Sequence, residues 1–217
     1  MVSNRYHMML DVEIGFVKLI SIRYNGIMNA MLLQEYIERI SRLLDSEARL
    51  VGAEHNLQPI QLNALHFLRR SNRYSNTPQA VTEFFCLTKG TVSQTLTVLQ
   101  SKGFIRKSSD KKDGRVVHLS VTRAGEKLLE KAMPSPTMQR VWGELHEGKQ
   151  NSSVEGLKQL LLAMQRVNGM KAFGVCGTCR YNRKTGAKKF FCELTQENLD
   201  EEESELLCRE HQPQNTL

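Results

Sequence analysis

Apolar residues recur at helical spacing through much of this 217-residue chain. From Ala30 to about Ala53 this period predicts one long helix. Its apolar residues extend beyond a single stripe, so we expect the helix to pack against more than its own domain. Residues 1–29 show no clear period and are treated as an N-terminal extension. One hypothesis is that translation begins downstream, at Met28 or Met31.

Three shorter helices are predicted next. Pro59 fits the first turn of a helix that ends before the polar stretch 71–76. Thr77 and Pro78 start a second helix. After a tight turn at Cys86–Leu87, Thr88 is the expected N-cap of a third helix, which stops at Gly103. Two short helices joined by a tight turn form a helix-turn-helix. Cys86 is expected to be a small buried apolar residue in this motif.

A charged hairpin follows the helix-turn-helix. Residues 104–107 and 116–121 have the composition of strands, and the polar run between them contains Asp113-Gly114, which favours a turn. Thr122 then caps a helix to about residue 133, which Pro134 and Pro136 end or bend. Two further helices are predicted over residues 138–146 and 153–167.

The positive charge of the chain is concentrated in one region. The net charge is +7 overall, and residues 58–133 alone carry +8. A concentrated positive field suits a polyanion, and nucleic acid is the first candidate. Asp11, Glu13 and Lys18 interrupt any signal-peptide core, and no stretch is long and apolar enough to span a bilayer. We therefore expect a cytoplasmic protein outside the membrane.

The order of these elements, together with three motifs, resembles the MarR family of winged-helix transcription regulators. The motifs are the run Thr88 to Gln94, the run Leu99-x-x-Lys102-Gly103-Phe104-Ile105, and the wing pattern Asp110-x-x-Asp113-x-Arg115 with Leu119-x-Val121-Thr122-x-x-Gly125 behind it. The similarity covers roughly residues 30–168, with the winged helix at about 58–133. Lys112 stands where members often carry arginine, and the charge is kept.

The resemblance implies a homodimer built from the first and the last two helices, with each lobe bound to double-stranded DNA. The 88–101 helix is expected in a major groove and the wing in the neighbouring minor groove. A small aromatic or lipophilic effector is also implied, in a cleft between the lobes. The residues expected to contact DNA are Thr88, Lys89, Thr91, Ser93, Gln94 and Thr95 on the helix, and Lys111, Lys112, Asp113 and Arg115 on the wing.

The physical chemistry of these side chains agrees with that assignment. Short polar groups beside helix N–H groups suit phosphates and base edges, and Gln94 can make two hydrogen bonds to adenine. The guanidinium of Arg115 is drawn to the negative potential of a narrow minor groove, and Asp113 can orient it. Lys111 and Lys112 would add phosphate contacts.

Residues 171–213 lie outside the resemblance and hold four of the five cysteines. Cys176-x-x-Cys179, Cys192 and Cys208-x-x-His211 supply five candidate ligands for a tetrahedral metal that needs four. The first choice is a four-cysteine zinc site. His211 is the alternative fourth ligand, on an expected acidic helix over 200–211. An iron–sulfur cluster and a thiol redox pair stay open. A segment of fewer than about 50 residues can scarcely form a core by itself, and a bound metal would supply the missing stabilisation.

The fold class expected is therefore mainly α, with a small β-hairpin wing, helices for dimerisation and a small metal-stapled C-terminal module. The leading function is a DNA-binding transcription regulator. The alternative is a metal or redox sensor whose cysteine cluster controls DNA binding. A protein-binding adaptor conflicts with the +8 segment. No phosphate loop, nucleophile with a base, or open metal position indicates an enzyme.

Overall fold

The structure, a computed structural model, describes residues 3–110 and 113–214, and the side chains of residues 26–110 and 113–214. The first helix, α1 (Ser3–Ala53), is one continuous helix. It begins well before Ala30, so the predicted start was wrong: backbone hydrogen bonds continue where the apolar period is lost. By its internal contacts the chain divides into residues 1–47 and residues 48–217.

The expected helix-turn-helix is present in the second unit. It consists of α3 (Pro78–Phe85) and α4 (Lys89–Ser101) and follows α2 (Pro59–Arg69). Pro59 and Pro78 occupy the first turns of α2 and α3. The side-chain oxygens of Thr77 and Thr88 accept hydrogen bonds from backbone N–H groups in the first turns of α3 and α4. These two threonine caps therefore start both helices of the motif as predicted.

The predicted wing is an antiparallel pair, β1 (Ile105–Ser109) and β2 (Val117–Val121), with Ile105 opposite Val121 and Ser109 opposite Val117. Three helices follow: α5 (Arg123–Ala132), α6 (Pro136–Glu144) and α7 (Glu147–Val167). Gly125 permits the close approach of α5, because a Cβ there would lie 2.6 Å from the backbone oxygen of Phe104.

The C-terminal segment is mainly β structure. Short strands β3 (Gly174–Val175) and β7 (Leu207–Cys208) pair with each other, and β4 (Asn182–Gly186), β5 (Lys189–Cys192) and β6 (Glu197–Asp200) form a three-stranded antiparallel sheet. A helix of one turn, α8 (Glu201–Glu205), precedes β7. The expected acidic helix over 200–211 is therefore wrong beyond Glu205, and Cys208 lies on a strand.

The main core lies among α2, α4, α5 and the wing, with Leu65, Leu99 and Leu129 fully buried. The C-terminal segment has a much smaller core, in which Cys176, Leu199 and Cys208 are the buried members. Among the residues described, no helix is long and apolar enough to cross a membrane.

Candidate functional site

The N-terminal half of α4 presents a polar, solvent-facing surface. Thr88, Lys89, Thr91, Ser93 and Gln94 are all exposed. The hydroxyl of Thr91 lies 2.9 Å from that of Thr88, and its backbone N–H donates to the Thr88 hydroxyl oxygen. The cap thus fixes the first turn of α4, while Lys89, Ser93 and Gln94 face solvent. This arrangement can offer hydrogen bonds and one positive charge to a polyanion.

Thr95 does not belong to this surface. It is 4% exposed and lies on the core side of α4 with Val92, Leu96 and Leu99. The sequence prediction counted it as a contact because it is polar and adjacent to Gln94. A step of one residue turns the helix by about 100°, which carries Thr95 from the outer face to the core. We therefore remove Thr95 from the set of proposed DNA contacts.

The tip of the wing holds Arg115 in a defined orientation. Its Nε and Nη2 atoms donate to the two carboxylate oxygens of Asp113 at 2.9 and 2.8 Å, and its backbone N–H donates to Asp113 as well. The guanidinium holds the pKa of the Asp113 carboxyl below its ordinary value. The Arg115 side chain is still 90% exposed. The expected orienting role of Asp113 is seen here, whereas Lys111 and Lys112 lie outside the described residues.

A second polar network, which the sequence prediction missed, holds the base of the wing. The His118 ring lies between Asn76 and Asp110, with Nδ1 2.7 Å from Asn76 Oδ1 and Nε2 3.0 Å from Asp110 Oδ2. Asp110 accepts the backbone N–H of Asp113 at 2.8 Å. The backbone N–H of Leu119 donates to the carbonyl of Asn76 at 2.7 Å. Asn76 precedes α3, so these bonds connect the wing to the helix-turn-helix.

The four C-terminal cysteines are brought together. Cys176, Cys179, Cys192 and Cys208 line one small cavity of about 10 Å³. Burial raises the pKa of the Cys176 thiol to about 11, with a smaller contribution from the other three cysteines. Burial also raises the pKa of Cys208. Within the described part of the chain, no group of three or more Cys, His, Asp and Glu side chains has metal-site geometry as it stands.

Hydrogen-bond donors face three of the four sulfurs. The amide of Asn182 donates to Cys176 Sγ at 3.4 Å, and the backbone N–H of Gln212 donates to Cys179 Sγ at 3.4 Å. The backbone N–H of Glu210 faces the Cys208 thiol and, like the nearby Asn72 side chain, acts against the effect of burial on its pKa, although Asn72 Nδ2 itself makes no hydrogen bond to the residues that the structure describes. Donors aimed at sulfur favour the thiolate, which is the form that binds metals.

His211 is not among the residues that line the sulfur cavity, and its ring makes other contacts. Its Nε2 atom is 2.9 Å from the hydroxyl of Thr178. The ring packs against Gly174, where a Cβ would collide with it. The residues lining the sulfur cavity include Glu210 but not His211.

Cys86 is exposed, so the expectation of a buried residue was wrong. It is the C-cap of α3, with a φ of 54°. The chain turns sharply here and leaves the helical period that was used to place Cys86 on the core side.

The C-terminal segment docks on the α2–α3 connection, residues 71–76, which we call the connecting segment. Leu207 bridges to it through its backbone, accepting from the N–H of Asn72 at 2.9 Å and donating to the carbonyl of Arg70 at 2.6 Å. Phe173 packs against Phe67 and Phe84 with ring centroids 5.9 and 5.2 Å apart. The polar break of the sequence is thus a docking surface for the cysteine segment.

The described geometry defines a winged helix with a cysteine-rich extension, and comparison with known proteins agrees. Residues 55–116 match a family model described as MarR family. The predicted resemblance to a MarR-type winged helix is therefore confirmed over these residues. The C-terminal segment with the four cysteines, residues 171–213, lies outside the match. A comparison with curated proteins gave no match.

Solved structures share the fold. A MepR–DNA complex from S. aureus aligns with a TM-score of 0.50 and 23% identity over 59% of this chain and 95% of that one. FabT from Streptococcus pneumoniae in complex with DNA gives a TM-score of 0.51 and 22% identity over 62% and 96%. A MarR protein from Peptoclostridium difficile gives 0.54 and 15% over 62% and 88%. At these identities the likeness establishes the fold.

Proposed function

We propose that the chain is a sequence-specific DNA-binding transcription regulator that places α4 in a major groove and Arg115 in the adjacent minor groove. The observation that carries this proposal is the exposed polar surface of α4 next to a 90% exposed arginine held by Asp113. The concentrated positive charge supports it. So does the likeness to structures described as MepR and FabT bound to DNA.

We also propose that the active form is a homodimer. The described part of α1 exposes large apolar residues such as Met31 and Leu43, and α7 exposes Leu157 and Leu161. A monomer that leaves such stripes in water is disfavoured, and a second copy of the chain would cover them. Sedimentation at several concentrations tests this, and a monomer at micromolar concentration would refute it.

DNA recognition is tested with duplexes selected from a random library by the purified protein. We expect enrichment of a two-fold symmetric site with half-sites about 10 base pairs apart. Arg115→Ala should weaken binding about 10- to 100-fold, because a minor-groove contact is lost in both protomers. Arg106→Ala, on β1 away from the wing tip, is the matched control. If no duplex is enriched, or if both variants bind like the wild type, the proposal fails.

For the C-terminal segment we propose a single zinc ion bound by Cys176, Cys179, Cys192 and Cys208. The small cavity and the donors facing the sulfurs support this ligand set. An iron–sulfur cluster would use the same four thiolates, and metal analysis distinguishes it from zinc. Zinc would neutralise the thiolates and link the turn after β3 to β5 and β7, which would stabilise a segment whose own core is small.

Metal analysis and a visible spectrum of protein purified without oxygen test the zinc proposal. We expect one zinc per chain and no colour. Cys192→Ser should lose the metal, whereas Cys86→Ser, outside the cluster, should keep it. Iron with visible absorbance would replace zinc by a cluster, and the absence of any metal would leave a thiol pair as the alternative.

A further inference from the structure

The cysteine segment holds the connecting segment at several points close to Cys208. Leu207 bonds the backbone of Arg70 and Asn72, and the N–H of Arg209 donates to the hydroxyl of Ser75 at 2.7 Å. The guanidinium of Arg209 also donates to Glu83 on α3 at 2.7 Å. The neighbours of Cys208 in sequence are therefore the residues that fix the connecting segment.

Further contacts come from the sheet of the cysteine segment. The Tyr74 hydroxyl lies 2.9 Å from that of Thr195 and donates to Glu197. Arg73 donates to Glu203 on α8 at 2.6 Å. The connecting segment is thus bound by β6, α8 and β7, whose placement depends on how the four cysteines are arranged.

The connecting segment is itself tightly bonded. Asn72 Oδ1 accepts the backbone N–H of Tyr74 and the hydroxyl of Ser75, at 3.1 and 2.9 Å. The backbone carbonyl of Asn72 accepts the N–H of Ser75 and of Asn76. Asn72 and Ser75 are buried. A shift at the docked end is therefore transmitted to Asn76 instead of being absorbed within the segment.

Asn76 is the contact between this segment and the wing. Its carbonyl accepts from Leu119, its side chain faces His118, and His118 faces Asp110, which holds the turn that carries Asp113 and Arg115. An open groove of about 980 Å³, lined by Asn76 and His118 on one side and Arg209 on the other, separates the outer part of the wing from the cysteine segment. The inner residues of the wing, such as Ile105 and Leu119, belong to the main core, so the contact through Asn76 supports the outer part.

We infer that Asn76 and His118 are positioning residues that couple the state of the cysteine cluster to the wing. This inference rests on the proposed function for its consequence, the DNA affinity. When the four cysteines hold no metal, the connecting segment loosens and the outer part of the wing loses this support, while α4 and the inner residues of the wing stay in the main core. The small core of the cysteine segment is not enough to keep the segment folded without a metal. The segment therefore has two states, with and without bound metal, and the position of the outer wing depends on which state is populated.

The test measures amide hydrogen exchange in the full-length protein. In Cys192→Ser we expect exchange in the outer part of the wing, at residues 108–110 and 116–118, to rise about tenfold, with exchange in α4 unchanged within about twofold. DNA affinity should fall about tenfold, within the usual range of coupling between sites. Cys86→Ser is the matched control and should change neither. Cys192 lies on β5 and makes none of the docking contacts itself, so its substitution reports on the cluster.

A second variant keeps the test independent of whether Cys192→Ser folds. Asn76→Ala should raise exchange in the wing alone and leave the metal content unchanged. Adding Cys192→Ser to it should then raise wing exchange by less than in the wild-type background. Unchanged wing exchange in both single variants, or an equal rise in α4 and the wing, would overturn the inference. Exchange is measured without DNA, so normal DNA binding by Arg115→Ala would refute the proposed function without affecting this result.

Discussion

Lys89 offers a quantitative test of how α4 meets DNA. It is the first residue of α4 and is exposed, so its ammonium group stands at the helix end that we place against the phosphates. In Lys89→Gln a homodimer loses two phosphate contacts. At about 0.9 per contact, the slope of log affinity against log salt should become shallower by about 1.8. The ratio of the wild-type affinity for DNA to that of Lys89→Gln should therefore be about 12-fold larger at 50 mM than at 200 mM salt.

Fluorescence anisotropy with a selected duplex at four or five salt concentrations measures this slope. Lys102→Gln is the control, because Lys102 is an exposed lysine at the opposite end of the same helix, about 20 Å along its axis. An unchanged slope in Lys89→Gln would show that Lys89 does not contact a phosphate. An equal loss in Lys102→Gln would refute the orientation proposed for α4.

Three further predictions concern other parts of the chain. Thr95→Val should leave DNA affinity within about twofold of the wild type in the same anisotropy assay, because Thr95 is buried. His211→Ala should retain one zinc per chain by metal analysis, since His211 lies outside the sulfur cavity; loss of the metal would restore it as a ligand. Burial, with Arg69 and Arg70 nearby, lowers the pKa of His66 from 6.5 to about 4. As the pH falls, His66 takes up its proton in the unfolded chain before it does so in the folded one. The free energy of unfolding should therefore fall as the pH drops from about 6.5 to 4. The loss is at most about 3 kcal/mol, and it should be smaller because the ring is partly solvated. Urea midpoints against pH should show a shallower fall in His66→Gln, and parallel curves would contradict this.

Much of the winged helix could be predicted because its signals are local. Thr77, Thr88 and Thr122 each start a helix through a bond made within the next three residues, and Gly103 ends one with a φ of 75°. The pairing of Asp113 with Arg115 is equally local, since the two residues are two positions apart in one turn. Such features are fixed by the chain over a few residues, so tertiary packing had only to preserve them.

The errors arose where a residue's place depends on distant parts of the chain. Thr95 was expected in solvent but is buried, because one residue of helical rotation separates it from the exposed Gln94. Cys86 was expected in the core but is exposed, because the left-handed turn at this residue ends the helical period. Cys208 was placed on a helix, whereas pairing of β7 with β3 makes it part of a strand. A short acidic run favours a helix locally, but Gly174 and Val175, 34 and 32 positions before Cys208 and Leu207, supply the strand partner.

The helix-turn-helix, the charged wing and the grouping of four cysteines near the C-terminus could be predicted from the chain alone, because caps, turn residues and ligand spacing act over short distances. Long-range packing was needed to show that the polar stretch 71–76 receives the cysteine segment and that Asn76 and His118 support the wing. Those bonds join residues more than 40 positions apart, as between Asn76 and His118, or more than 130 apart, as between Ser75 and Arg209. No local pattern encodes such pairs; they follow from the buried core that brings the segments together.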